Sequence, residues 1–457
     1  MHKQNMYHIK PQKKRFHKFH DTSSEETYAS ARGKINLPLL PSCTIFVFRN
    51  SEDMEFFTLT LDNGLRCIHK RIKSPVAYCA LVINTGSRDE SAGEHGLAHF
   101  TEHTIFKGTV RRKAYQINCR LENLGGELNA FTTKEDTTVH ATVMRGDFAK
   151  AAELISDVVF NATFPEHEID KERKVIIDEI NTYRDMPSDR IFDEFDSLMF
   201  GPSPLGRNIL GTKSSVNRFG SEDIRNFTKR TYTPDQMVFS SIGDISQSAF
   251  ERTVQKYFGQ IPAAKRTFER QGPPAYVPFA KTAHHSTHQA HCILGWRAYD
   301  LNHASRLPLA LIVNILGGPS ANSLLNVLLR ERNGLSYNID ASYAPLTDTG
   351  LASVYFSCDK DNTQQCLELA TSVIDQLKTQ PLSARQLSMA KRQFIGQIAV
   401  SMDSNESYML GVGKSFLVYG EVDEMPAICS KIKAITSQQL TDIAADVFKD
   451  VSTLIYT

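Results

Sequence analysis

Apolar and polar positions along the chain follow two alternating rhythms from Met54 onward. The runs Val76–Ile83 and Thr137–Val143 are rich in β-branched and apolar residues at strand length and predict β-strands. Asp62-Asn63-Gly64 has the residue types of a tight hairpin turn. Between such runs, apolar residues recur at helical spacing. Leu97, Phe100 and Ile105 give one short helix a face to bury, with Gly108 available to end it. The rhythm fails at Pro262–Pro278, which is Pro-rich, charged and without periodicity, so it reads as a linker. The expected division is 54–262, a linker at 263–278, and 279–457.

The two halves resemble each other. Ser221–Ser240 can be laid on Ser437–Tyr456 without a gap, each reading as an N-cap serine, a helix and a short apolar strand. A second pairing sets Ile169–Ile180 against Leu387–Ile398, with Glu172 opposite Ala390 and Glu179 opposite Gln397. The matching order in both halves predicts an internal duplication into two α/β domains.

Composition narrows the class. A chain of 457 residues suits two or three domains. A formal net charge of +1 gives no bulk electrostatic case for nucleic acid or an anionic membrane. No run approaches the ~20 apolar residues of a membrane-spanning helix. The eight cysteines include no C-x-x-C pair and read as reduced, which favours a cytoplasmic compartment of bacterial type. Residues 1–53 differ from the rest: basic, His-rich and without apolar periodicity. They read as a disordered or mis-assigned extension of a protein that begins at Met54. The lack of acids in the first 20 residues keeps a mitochondrial presequence, and hence a matrix location, as the alternative.

The chemistry concentrates in His99-Phe100-Thr101-Glu102-His103. On a helix, positions i, i+3 and i+4 share a face, so two imidazoles and a carboxylate can address one point. Neutral imidazoles ligate Zn²⁺, and a glutamate beside the metal can take a proton from water. The order H-x-x-E-H is the inverzincin signature. A third protein ligand must come from another element. The segment 165–180 offers one: Glu172 and Glu179 lie seven apart, on one helical face, while Glu166 and Glu168 read as a solvated face near the positive helix end.

H-x-x-E-H followed by E-x-x-x-x-x-x-E resembles the pitrilysin and mitochondrial processing peptidase family, over nearly all of residues 54–457. The resemblance implies an α+β fold of two homologous α/β domains, each a mainly antiparallel sheet packed with helices, with the metal only in the first. It implies one Zn²⁺ per chain held by His99, His103 and Glu179, with Glu172 as a supporting acid and Glu102 as the base. It makes Glu127–Thr133 an edge strand to which a peptide adds as a further strand, touching Asn129, Ala130 and Phe131. In Leu329–Tyr337 it makes Arg330 a ligand for a substrate carbonyl and Tyr337 a donor to the oxyanion. The loop Gly317-Gly318-Pro319-Ser320 lacks a P-loop lysine and does not read as a nucleotide site.

By the same resemblance, chains of this length pair. A homodimer would enclose short or unfolded peptides, with Arg330 and Tyr337 of one subunit completing the zinc site of the other. A heterodimer with a related chain is the variant arrangement. The competing class is a non-catalytic or partner-dependent subunit, in which the metal motif is usually degraded; here the motif is intact.

Overall fold

The structure is a computed structural model that describes residues 56–457; the expectations for residues 1–53 and for a start at Met54 lie outside the described residues. The first half contributes β1 (Phe56–Thr60), β2 (Arg66–Arg71), β3 (Val76–Ile83), α1 (Leu97–Thr104), α2 (Ala114–Glu122), β4 (Glu127–Thr132), β5 (Thr137–Met144), α3 (Phe148–Phe160), α4 (Glu166–Arg184), α5 (Pro187–Phe200), α6 (Lys213–Val216), α7 (Ser221–Thr231), β6 (Met237–Gly243) and α8 (Gln247–Tyr257). The second contributes β7 (Ala280–Ala283), β8 (Ala290–Ala298), α9 (Arg306–Gly317), a π-helical stretch Asn326–Arg332, β9 (Ser336–Pro345), β10 (Gly350–Cys358), α10 (Thr363–Thr379), α11 (Ala384–Asp403), α12 (Asn405–Tyr419), α13 (Met425–Ala434), α14 (Ser437–Val447) and β11 (Ser452–Tyr456).

Two sheets result, with orders β1-β2-β6-β3-β5-β4 and β7-β11-β8-β10-β9. Setting β1 aside, the two orders are the same: the strand after α7 pairs parallel with β2, and the strand after α14 pairs parallel with β7, all other pairings being antiparallel. The duplication read from sequence is therefore a duplication of topology. Gly64, at φ +92°, makes the β1–β2 turn, a conformation open to glycine. The helix starts differ by one residue from the sequence reading. The N-caps are Gly220 and Thr436, not Ser221 and Ser437. Glu166 is exposed, as the solvated-face reading expects, and it also accepts from Ser221 N at 3.0 Å, which ties α4 to the start of α7.

The halves exchange helices. The apolar side of α5 (Ile191, Phe195, Met199) packs on Ile293, Tyr355, Leu454 and Tyr456 of the second sheet. In return α12 (Met409, Val412, Leu417) packs on Ile68, Ala80, Val82, Val238 and Ile242 of the first. Each guest helix is held at its C-terminal end by an arginine of the host sheet. Arg66 donates to Phe416 O and Leu417 O at 3.0 Å each, and Arg297 donates to Met199 O at 2.8 Å. Cations belong there, because the last carbonyls of a helix lack partners and carry its negative end.

Residues 262–279 form neither helix nor strand, as the linker reading expects. They are nonetheless fastened down. Arg270 grips both carboxylate oxygens of Asp89 (2.9 and 2.8 Å), and Arg266 bonds the carbonyl of Asn84. Beside them the buried Arg88 reaches Glu135 (2.5 Å), the linker carbonyl of Gln271 (2.9 Å) and Asp348 of the second half (2.5 Å).

Candidate metal centre

The short helix α1 is built to lie still. Leu97, Ala98 and Phe100 are fully buried in the core of the first sheet, and the Phe100 ring meets Phe219 edge-on at 5.7 Å. The hydroxyls of Thr101 and Thr104 are satisfied by the carbonyls one turn back, Leu97 O at 2.7 Å and Phe100 O at 2.9 Å. The helix ends at Thr104, with Ile105 as C-cap and Gly108 beyond it. On its other side the helix presents its two histidines to α4, which supplies the acids.

The His99 and His103 rings meet edge-on, with centres 4.6 Å apart and planes inclined at 63°. The Nε2 atoms of both lie 3.7 Å from the same oxygen, Oε2 of Glu179. That spacing exceeds a hydrogen bond. It is close to the ~3.4 Å that separates two ligand atoms sharing a tetrahedral ion at ~2.1 Å. Neither His99 Nε2 nor Glu179 Oε2, both buried, has a hydrogen-bond partner. Buried polar atoms without partners are rare, and three nitrogen and oxygen donors converging on one point is the donor set zinc takes. The residues therefore fit a metal ion, and they are the one such cluster among the described residues.

The electrostatics agree. Burial, with the neighbouring His103 adding to it, pushes His99 well below the usual imidazole range and keeps it neutral, as a ligand must be. His103 is also opposed by burial. The hydrogen bond that His103 donates to Glu172 and the charges of Glu102, Glu179 and Glu172 outweigh that and raise its pKa. Burial raises Glu179, partly offset by His103. Glu172 is penalised by burial too, but His103 and Lys107 hold it below the usual carboxylate range.

The expected residues divide by location. Glu172 joins the centre: its Oε2 meets His103 Nδ1 at 3.1 Å and its Oε1 meets Lys107 Nζ at 2.8 Å. Glu102 is 3% exposed, on the same helix between the histidines. Asn129, Ala130 and Phe131 lie in β4, which is an edge strand beside α1. Strand alternation separates them: Ala130 packs with the core that contains α1, whereas Phe131 faces His140 across the strand pair. Arg330 and Tyr337 are outward-facing. Arg330 sits in the π-helical stretch and pairs with Glu331 at 3.7 Å, and Tyr337, in the edge strand β9, is 75% exposed. Sequence reasoning missed Lys107, although its position four residues after His103 is a helical-spacing signal. It also missed Glu90, for which no local signal exists. That buried carboxylate accepts from Gly96 N (3.0 Å) and Ala98 N (2.9 Å) at the start of α1.

Comparison with known proteins gives the same assignment. A family model described as insulinase, peptidase family M16, matches residues 67–213, and one described as the M16 inactive domain matches residues 218–394. A Bacillus subtilis protein described as the uncharacterized zinc protease YmxG is 31% identical over 394 residues, covering 86% of this chain and 95% of that one. An uncharacterized zinc protease of Mycobacterium leprae is 31% identical, covering 84% and 87%. Among solved structures, a protease from Helicobacter pylori superposes with a TM-score of 0.80 at 19% identity, covering 88% of this chain and 99% of that one. An M16 inactive-domain protein from Pseudomonas fluorescens does so with 0.83 at 16%, covering 88% and 98%. At these identities the structures speak to the fold.

Proposed function

The chain belongs to the M16 peptidase family and is a zinc-dependent endopeptidase; from that premise we propose that His99, His103 and Glu179 hold the ion and that Glu102 handles the proton. The observation that carries this is the convergence of two imidazole Nε2 atoms on one orphaned carboxylate oxygen. When bound, the ion supplies a Lewis acid that acidifies water and polarises the scissile carbonyl. Glu102 takes the proton of the attacking water and returns it to the leaving amine. Glu172 keeps His103 oriented and basic.

The substrate reading is a peptide laid along the free edge of β4. Main-chain hydrogen bonds would hold it in a largely sequence-independent way, with Asn129, Ala130 and Phe131 alongside. Tyr337 and Arg330 would stabilise the oxyanion and hold a substrate carbonyl. Their exposure on this chain supports their acting on the zinc site of a second subunit. A homodimer enclosing short or unfolded peptides is then sufficient; a heterodimer with a related chain would serve the same geometry. We read 54–262 as the metal-binding domain, 263–278 as the linker and 279–457 as its metal-free homologue, where Gln397 replaces Glu179 and donates to Ser320 instead. No helix among the described residues is long and apolar enough to cross a membrane. The seven described cysteines are free, which supports a reducing compartment, read here as cytoplasmic with the mitochondrial matrix as the alternative.

The deciding experiment is cleavage of a quenched fluorescent peptide library, with and without chelator, beside Glu102→Gln. Chelator-sensitive cleavage that the substitution abolishes is expected. Cleavage that survives both treatments would overturn the assignment.

A further inference from the structure

The two histidines are supported unequally. His103 has its ring fixed by Glu172 through Nδ1. His99 has no hydrogen bond at either ring nitrogen, so nothing polar fixes its ring within the protein. Its position depends on its backbone and its packing.

That backbone is in a weak place. α1 is eight residues long, and with Gly96 as N-cap, His99 is the third residue of the first turn. The first-turn N–H groups have no partners within the helix, so this turn frays first unless capped. The N-cap cannot do it. Gly96 has φ +94°, and a Cβ there would stand 2.7 Å from Gly211 Cα, so a serine or aspartate is excluded by both conformation and space. Glu90 supplies what the cap lacks. From six residues upstream its two oxygens accept from the N–H groups of Gly96 and Ala98, one on each side of Leu97. It is 3% exposed, and its own backbone is held because the adjoining residues are pinned: Arg88 by Glu135 and Asp348, Asp89 by Arg270.

We propose that Glu90 is the positioning residue of His99, a side-chain cap borrowed from outside the helix that fixes the first turn of α1 and with it the first metal ligand. The inference rests on the zinc reading above and adds to it the residue that does for His99 what Glu172 does for His103. Glu90 touches no reacting group; it acts through the helix backbone.

The test is titration of the full-length metal-free protein with Co²⁺, read by its visible absorption bands, for wild type, Glu90→Gln and Glu90→Ala. Thermal unfolding of each metal-free protein is run beside it. Glu90→Gln keeps one acceptor oxygen, so a graded response is expected. Co²⁺ should bind about 10- to 100-fold more weakly to Glu90→Ala, as for other outer-shell supports, with Glu90→Gln between, and the bands should shift in both. A merely structural role would lower the unfolding temperature and leave the bands of the folded protein unchanged; that result overturns the proposal. If Glu90→Ala does not fold, Glu90→Gln decides alone. A wild-type protein that shows no Co²⁺ bands overturns the zinc reading itself, an outcome distinct from equal bands in all three proteins.

Discussion

Glu172 Oε2 lies 3.1 Å from His103 Nδ1, while the other oxygen of the same carboxylate is held by Lys107 at 2.8 Å. The pair leaves His103 Nε2 as the free face of the ring and aims it at Glu179. Replacing Glu172 with Gln keeps the shape but removes the charge that orients the ring and raises its basicity. Metal affinity, measured by competition with a chromophoric chelator, is expected to fall about 10- to 100-fold. An unchanged affinity would reduce Glu172 to a structural partner of Lys107.

The same pair sets a pH dependence. In the metal-free protein the pKa of His103 is raised, so a proton competes with metal from above the usual imidazole range downward. His99, lowered by burial, competes little. Zinc affinity is therefore expected to fall as pH drops through a value above 6.5. For stability the signs are opposite for the two partners. The raised His103 contributes stability that is full below its unfolded pKa and lost as pH rises through the folded one. The lowered Glu172 contributes stability present above its unfolded pKa and lost as pH falls through the folded one. The metal-free protein should thus gain from this pair between those limits, and Glu172→Gln should flatten that part of its unfolding-versus-pH curve.

The outward placement of Tyr337 bears on assembly. Glu102→Gln and Tyr337→Phe should each be inactive alone. If the site is shared between subunits, mixing and re-equilibrating the two should restore activity, because a mixed dimer contains one site with neither change. Mixed dimers that form and stay inactive would assign each site to a single chain.

Arg88 joins three parts of the chain: Glu135 of the first half, the linker at Gln271, and Asp348 of the second half. Its side chain is 1% exposed. Breaking a buried pair from one side leaves an uncompensated charge, typically ~3–5 kcal/mol. Asp348 remains a third exposed and Glu135 retains Arg270, so Arg88→Met should fall near ~3 kcal/mol, at the low end of that range, by urea unfolding. A loss within error would show that the linker network is dispensable.

The exchanged helix α12 gives a case where two effects oppose. Gly413 lies inside it, and alanine there gains ~1 kcal/mol of helix propensity. However, a Cβ would sit 2.8 Å from Ser240 Oγ and 2.9 Å from Val82 Cγ2, both in the buried sheet beneath. Overpacking of that kind costs ~1–3 kcal/mol, so a modest net destabilisation is expected for Gly413→Ala. A stabilised variant would mean that α12 lifts from the sheet more readily than its packing suggests.

What the sequence determined by itself was local or repeated. His99, Glu102 and His103 could be placed on one face because helical period is a property of neighbouring residues. The strand Val76–Ile83, the turn at Gly64 and the duplicated order of elements followed from patterns of the same range. Glu172 and Glu179 share a face, so spacing alone left both as ligand candidates; the packing of α1 on α4 separates them, one oxygen meeting both Nε2 atoms and the other carboxylate meeting Nδ1. The tertiary structure also decided which sheet each amphipathic helix covers. An apolar stripe states that a helix must be buried but not against which partner, and α5 and α12 crossed to the opposite halves. Glu90, Lys107 and the Arg88 network were decided at the same level. A buried charge or an open helix end requires a partner in space, and the folded backbone, not distance along the chain, determines which residue supplies it.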